Sequence, residues 1–174
     1  MVKAEASITE LQKRLQTAAE NLQKVMIGAL GTVNADGNPH ISPLFLAYDA
    51  DLHFVWSSGT ATLHSKNIER EGRVFITIFD SITAHGGGLY LQATARAAQP
   101  HEPAFMQAFQ TFNARKAQFG APTSPQSNYQ SGAQTLYMAT PQRFWVNMSQ
   151  KDENGAVIGD ERIEIALSDI QKYL

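Results

Sequence analysis

From Thr60 to Asn67 the chain reads Thr-Ala-Thr-Leu-His-Ser-Lys-Asn, which sets three hydroxyls, an imidazole and a primary amine in eight consecutive positions. Phosphate recognition calls for hydroxyl donors, a cation and the free N–H groups of a helix start. Thr60, Thr62, Ser65 and Lys66 supply the side chains where a strand hands over to a helix. Thr62 and Lys66 are four apart, so they share a helical face. On chemistry alone a second reading competes strongly with it. A hydroxyl-rich start followed by Lys-Asn-Ile-Glu-Arg-Glu is also how an ordinary capped surface helix is written.

Other reactive residues are scattered. The five histidines, at positions 40, 53, 64, 85 and 101, include no pair four apart. His40 and His64 could meet in space around a metal, or each could simply pack or face solvent. Trp56 and Trp145 fall in strand-like segments, where an indole either stacks a planar ligand or fills a core or dimer contact. His40 or Tyr90 could act as an acid or base, but neither stands out, so no catalytic residue is named. There is no phosphate-binding G-x-x-x-x-G-K-[ST], no G-x-G-x-x-G after the first strand and no H-E-x-x-H. The HGGG run at 85–88 resembles an esterase oxyanion loop, but no G-x-S-x-G elbow accompanies it.

Composition narrows the classes further. With no cysteine, disulfides, thiolate metal sites and a cysteine nucleophile are excluded. A net charge of −2 gives no basic footprint for nucleic acid or an anionic membrane. The start, MVKAEASITELQKRL, lacks the apolar stretch of a signal peptide, and no apolar run reaches membrane-span length. A soluble, cytoplasmic protein is expected, of one domain over residues 1–174.

Certain elements must carry these residues. Ser7 and Glu10 form a capping box ahead of apolar residues at helical spacing, predicting a helix over 7–24. Asp36-Gly37 between VMIGALGTV and HISPLFLAY predicts a hairpin. LHFVWSS follows so closely that these three strands must be antiparallel. A short surface helix over about 60–71 precedes RVFITIFD, a strand expected to be covered on both faces. LYLQATARA is a further strand, and a helix to about Gln118 places Phe105, Met106, Phe109 and Phe112 on one side. QTLYMAT and RFWVNMS read as separate strand segments around Pro141, and ERIEIAL leads into a C-terminal helix. The sum is a mainly β chain with flanking helices: a closed or split barrel of about six antiparallel strands over 25–167. A barrel so narrow is filled by its own side chains, so a ligand must lie outside it or between subunits.

The order of these pieces resembles a known family. GALGTVNADGNPHISPLFLAYDADLHFVWSS, HSKNIEREGRVFITIFDS and GLYLQATARA, with the later YMATPQRFWVN and DERIEIAL, are similar to the pyridoxamine 5′-phosphate oxidase-like FMN-binding split barrels, from about residue 24 to 167. The resemblance implies a six-stranded split β-barrel, a homodimer with two FMN sites across its interface, and flavin oxidoreductase chemistry. It implies Ser42, Pro43 and Leu44 beside the isoalloxazine, and Val55, Trp56, Ser57 and Ser58 along the ribityl chain and phosphate. The family's Ser-x-Lys phosphate motif precedes an Arg-Asn-Leu triplet. Counted back from Asn67, Thr62 takes the serine position, His64 the lysine and Lys66 the triplet arginine. His64 is thus a departure and marks a subgroup. A nearby phosphate dianion is expected to raise its pKa, which ranks Thr62 and His64 ahead of Lys66. Trp145 is implied as an aromatic from the partner subunit bordering the flavin. The second strand lacks the oxidase's arginine and lysine, so pyridoxamine phosphate oxidation is not assigned. The resemblance leaves as alternatives a non-catalytic flavin carrier, sensor or stress protein, and a relative that binds F420 or haem.

Overall fold

A computed structural model describes residues 2–82 and 87–174, with side chains from Thr9 onward. The Ser7 hydroxyl of the expected capping box and His85-Gly86 of the HGGG run lie outside the described residues. The chain forms two compact units, one of residues 26–76 and 92–142, the other of residues 1–25, 77–91 and 143–174.

The first of these units holds the hydroxyl-rich segment. Strands β1 (Ile27–Val33) and β2 (Pro39–Phe45) pair antiparallel in register from Ile27↔Phe45 to Val33↔Pro39. Gly37 turns the chain between them at φ 85°, the left-handed region a side chain would resist. The expected strand through Leu46 breaks there. Phe45 still pairs with β1, while β3 (Ala47–Tyr48) pairs with β4 (Phe54–Gly59). Helix α2 (Leu63–Glu71) then leads through Gly72 into β5 (Arg73–Phe79), and β6 spans Gly88–Ala98. After α3 (Pro103–Gln118), β7 (Gln134–Lys151) is one strand of 18 residues instead of two segments. Pro141 lies within it, between the residues that pair with β4 and those that pair with the last strand. The strand order is β2-β1-β5-β6-β7-β4-β3, with β8 (Val157–Ile165) paired to β7. The count is therefore eight strands rather than six, because β3 separates from β2 and β8 is a full strand.

The α3 side of this unit is an apolar cluster in which Val55, Phe105, Phe112, Tyr129 and Leu136 are buried. Phe45 meets Phe112 edge-on at 5.6 Å between ring centroids. Met106, expected on the buried side of α3, is instead exposed. On β5, Val74, Ile76 and Ile78 are buried, while on the other face Phe75 and Thr77 are half-buried and Phe79 is exposed, so that second face is covered only in part.

In the other unit, α1 runs from Val2 to Lys24, five residues earlier than the capping box predicted. Leu15, Ala18, Ala19 and Leu22 form its buried stripe, in keeping with the helical spacing. β7 and β8 pair from Phe144↔Ile165 to Lys151↔Val157, and α4 (Leu167–Gln171) closes the chain.

Candidate functional site

Helix α2 is not the solvated surface helix that its polarity suggested. His64, Ser65 and Asn67 are buried along with Ile68. Burying so many polar groups is unfavourable unless each finds a partner, and these do. Asn67 donates from Nδ2 to Thr32 Oγ1 at 3.0 Å and to Asn34 Oδ1 at 2.9 Å, which ties α2 to β1 and the turn after it. Arg70 donates to Asn67 Oδ1 and also reaches the carbonyl of Val33. Gly72 ends the helix at φ 69° with its N–H on Ile68 O.

His64 is the centre of the cluster. Its Nδ1 lies 3.1 Å from Ser42 Oγ on β2, and its Nε2 lies 2.7 Å from Ser58 Oγ on β4 and 3.2 Å from Thr62 Oγ1. Ser42 Oγ also lies 3.1 Å from His40 Nε2, so the two histidines meet across one serine. Two opposite proton orders satisfy this chain, and each leaves His64 with one proton and both nitrogens engaged. Burial pushes the His64 pKa below its ordinary value, and the neighbouring His40 adds to the effect. Among the described residues no three His, Cys, Asp or Glu side chains gather as a metal site.

The start of α2 collects several hydrogen-bond donors. Thr62 stands at the N-cap position with extended backbone, yet its hydroxyl makes no capping bond. The hydroxyl lies 3.0 Å from Gly59 O and 2.8 Å from Ser65 Oγ instead. The first intrahelical bond is Lys66 N–H to Thr62 O, so the N–H groups of Leu63, His64 and Ser65 come before it. No acidic residue occupies the first turn. Hydroxyls, first-turn N–H groups and an imidazole able to gain a proton make a donor set that fits a phosphate.

Of the residues the sequence singled out, the structure gathers Ser42, Ser58, Thr62 and His64. Val55 and Trp56 fall in the core, and Trp56 stacks on Tyr137 at 5.7 Å with a 13° interplanar angle. Ser57 is half-buried, on the opposite face of β4 from Ser58. On β2, Pro43 is exposed and Leu44 half-buried. Lys66 is exposed while Thr62 is half-buried, although the two are one turn apart. Trp145 belongs to the other unit, where the Arg143 guanidinium lies 4.8 Å from its ring centroid. Sequence reasoning gave no role to Asn67 or Tyr137. Asn67 had served only as a counting mark, although an amide mid-helix beside apolar Ile68 is itself a hint of a buried anchor. Nothing local marked Tyr137.

The family profile described as pyridoxamine 5′-phosphate oxidase matches residues 15–147. No curated protein matches the sequence. Solved structures with the same fold include a protein from Clostridium acetobutylicum related to general stress protein 26 of B. subtilis, of the pyridoxinephosphate oxidase family. It has a TM-score of 0.61 at 15% identity, over 91% of this chain and 98% of that one. A haem storage protein from Vibrio cholerae aligns with a TM-score of 0.57 at 20% identity, over 73% of this chain and 89% of that one. An F420 reductase aligns with a TM-score of 0.55 at 17% identity, over 73% and 94%. The fold is mainly antiparallel β with flanking helices, and it matches the split barrels.

Proposed function

The chain belongs to the pyridoxamine 5′-phosphate oxidase family, and from that premise we propose that it is an FMN-binding flavoprotein, an oxidoreductase acting on a small molecule. One observation carries this reading: the buried imidazole of His64, held by Ser42, Ser58 and Thr62 at the start of α2. Thr62, His64 and the first-turn N–H groups hold the phosphate, and Lys66 adds a weaker, solvent-screened charge. FMN, when bound, supplies the hydride and electron chemistry. Ser42 fixes one nitrogen of His64, so the other is the one aimed toward Ser58, Thr62 and the helix start. A phosphate there favours the imidazolium, so His64 takes up a proton as the ligand arrives.

The flavin sites lie at a homodimer interface in this reading. Exposed Ile27 and Ile41, at 50% and 68%, stand on β1 and on β2, the strand that ends the sheet order. Trp145 of a second copy would border the ring.

The test is the absorption spectrum of the purified protein, then titration with FMN followed by quenching of flavin fluorescence. A flavin spectrum, or saturable binding, is the expected result. A colourless protein that leaves added FMN unquenched overturns the reading. A Soret band moves it to haem, which the Vibrio cholerae neighbour stores.

A further inference from the structure

On α2 and the strands beside it, a cavity of about 660 Å³ opens whose walls include Ser65, Ile68, Glu69, Arg96, Tyr129 and Tyr137. That volume is in the range of small-molecule sites. Its polar walls are built from within the fold: Ser65 is 2% exposed, Tyr129 3% and Tyr137 4%. Ser65 links the cavity to the His64 cluster, since it lines the cavity and its hydroxyl receives that of Thr62. Burial raises the Tyr137 pKa, so the phenol stays protonated at neutral pH and can both donate and accept.

The charges on the walls do not balance. Arg96 is paired with Glu102, which also lines the cavity. Glu69 remains, and no ion pair engages it among the described residues; its charge is felt at Tyr137. The cavity therefore carries hydroxyls, two tyrosine rings, an aliphatic wall and one uncompensated carboxylate, with no unpaired cation to receive an anion. That is the reverse of the donor set at the start of α2.

We infer that this cavity is a second binding site, separate from the phosphate-binding end of α2, for a cationic ring compound that stacks on the tyrosines and pairs with Glu69. Ser65 is common to both, through its N–H at the start of α2 and by lining the cavity, so what sets this inference apart from the flavin reading is the opposite charge preference. Its test uses three probes of one shape and three charges: benzamidine, benzamide and benzoate. The Ile68 δ1-methyl reports from the wall itself. The Trp56 indole N–H, behind Tyr137, gives a second signal, and with two tryptophans in the chain Trp145→Phe assigns it.

Benzamidine should shift both signals saturably, benzamide should bind up to about fivefold more weakly, and benzoate should give no saturable shift. Glu69→Gln should bring benzamidine down to benzamide. Gln130→Trp, at an exposed position on the cavity wall, should block benzamidine and benzamide without unfolding the chain. Shifts from benzamidine should persist with FMN added first. The inference is overturned by any of four results: Ile68 silent to benzamidine, benzoate binding as tightly as benzamidine, shifts that survive Gln130→Trp, or displacement by FMN.

Discussion

At the scale of single residues, the proposed phosphate site rests on His64 more than on Lys66. Lys66 carries the obvious charge but is exposed, and a screened surface charge contributes little. His64 is neutral in the ligand-free chain and engaged at both nitrogens. His64→Asn should therefore weaken FMN by roughly 1.5–3 kcal/mol, the scale of a lost charge-assisted hydrogen bond. Lys66→Ala should cost at most about 1 kcal/mol. Equal losses from the two substitutions, measured by flavin fluorescence, would move the phosphate off His64.

A pH dependence follows with a definite sign. The folded pKa of His64 lies below its unfolded value of about 6.5, so protonation favours the unfolded chain. Its stabilising contribution is present above that pH and is lost as pH falls below it. Binding a phosphate reverses the preference. FMN affinity should rise as pH drops from about 8 to about 6.5 through proton uptake at His64, and His64→Asn should flatten that slope.

At the scale of elements, α2 is placed by its polar residues as well as by Ile68. Asn67→Ala removes both bonds to β1 and its turn and leaves the buried Thr32 hydroxyl short of a partner. It should lower stability in urea unfolding by about 2–3 kcal/mol. FMN affinity should fall with it, since the N–H groups of the first turn move with the helix. Gly72→Ala should cost about 2 kcal/mol. The added Cβ would sit 3.0 Å from Ala95 O at a backbone φ of 69°, so strain and contact act together. A melting temperature unchanged in that variant would mean that the turn relaxes freely.

At the scale of the whole molecule, eight strands come from the six expected because β3 separates from β2 and β8 is a full strand. Leu46 is where one strand changes partner: β2 lies on β1 up to Phe45, and Ala47 already lies on β4. Pro141 does not end β7, because it falls between the stretches that β4 and β8 pair. The proposed dimer is tested at this scale by Ile41→Asp, which places a charge on an exposed apolar position of β2. It should shift sedimentation toward the monomer and weaken FMN while leaving the circular dichroism intact. An unchanged dimer would direct attention to another face.

The sequence by itself determined what depends on neighbours along the chain. Apolar spacing set the buried stripe of α1, Asp36-Gly37 set the first hairpin, and the ordered strand segments pointed to the family. The Thr-x-His pattern counted back from Asn67 singled out His64 without showing where its ring lies. Only the tertiary structure decided what depends on residues far apart in the chain. Ser42, Ser58 and Thr62 reach one imidazole because β2, β4 and the start of α2 converge. Local polarity made α2 look solvated, yet distant partners on β2 and β4 allow His64 to be buried, and partners on β1 and its turn do the same for Asn67. The cavity beside Tyr137 is assembled from three stretches of chain, within 60–69, 96–102 and 129–137, and its charge depends on which carboxylate Arg96 has already paired. Hydrogen bonds and burial are settled by proximity in space, and no spacing along one segment encodes that.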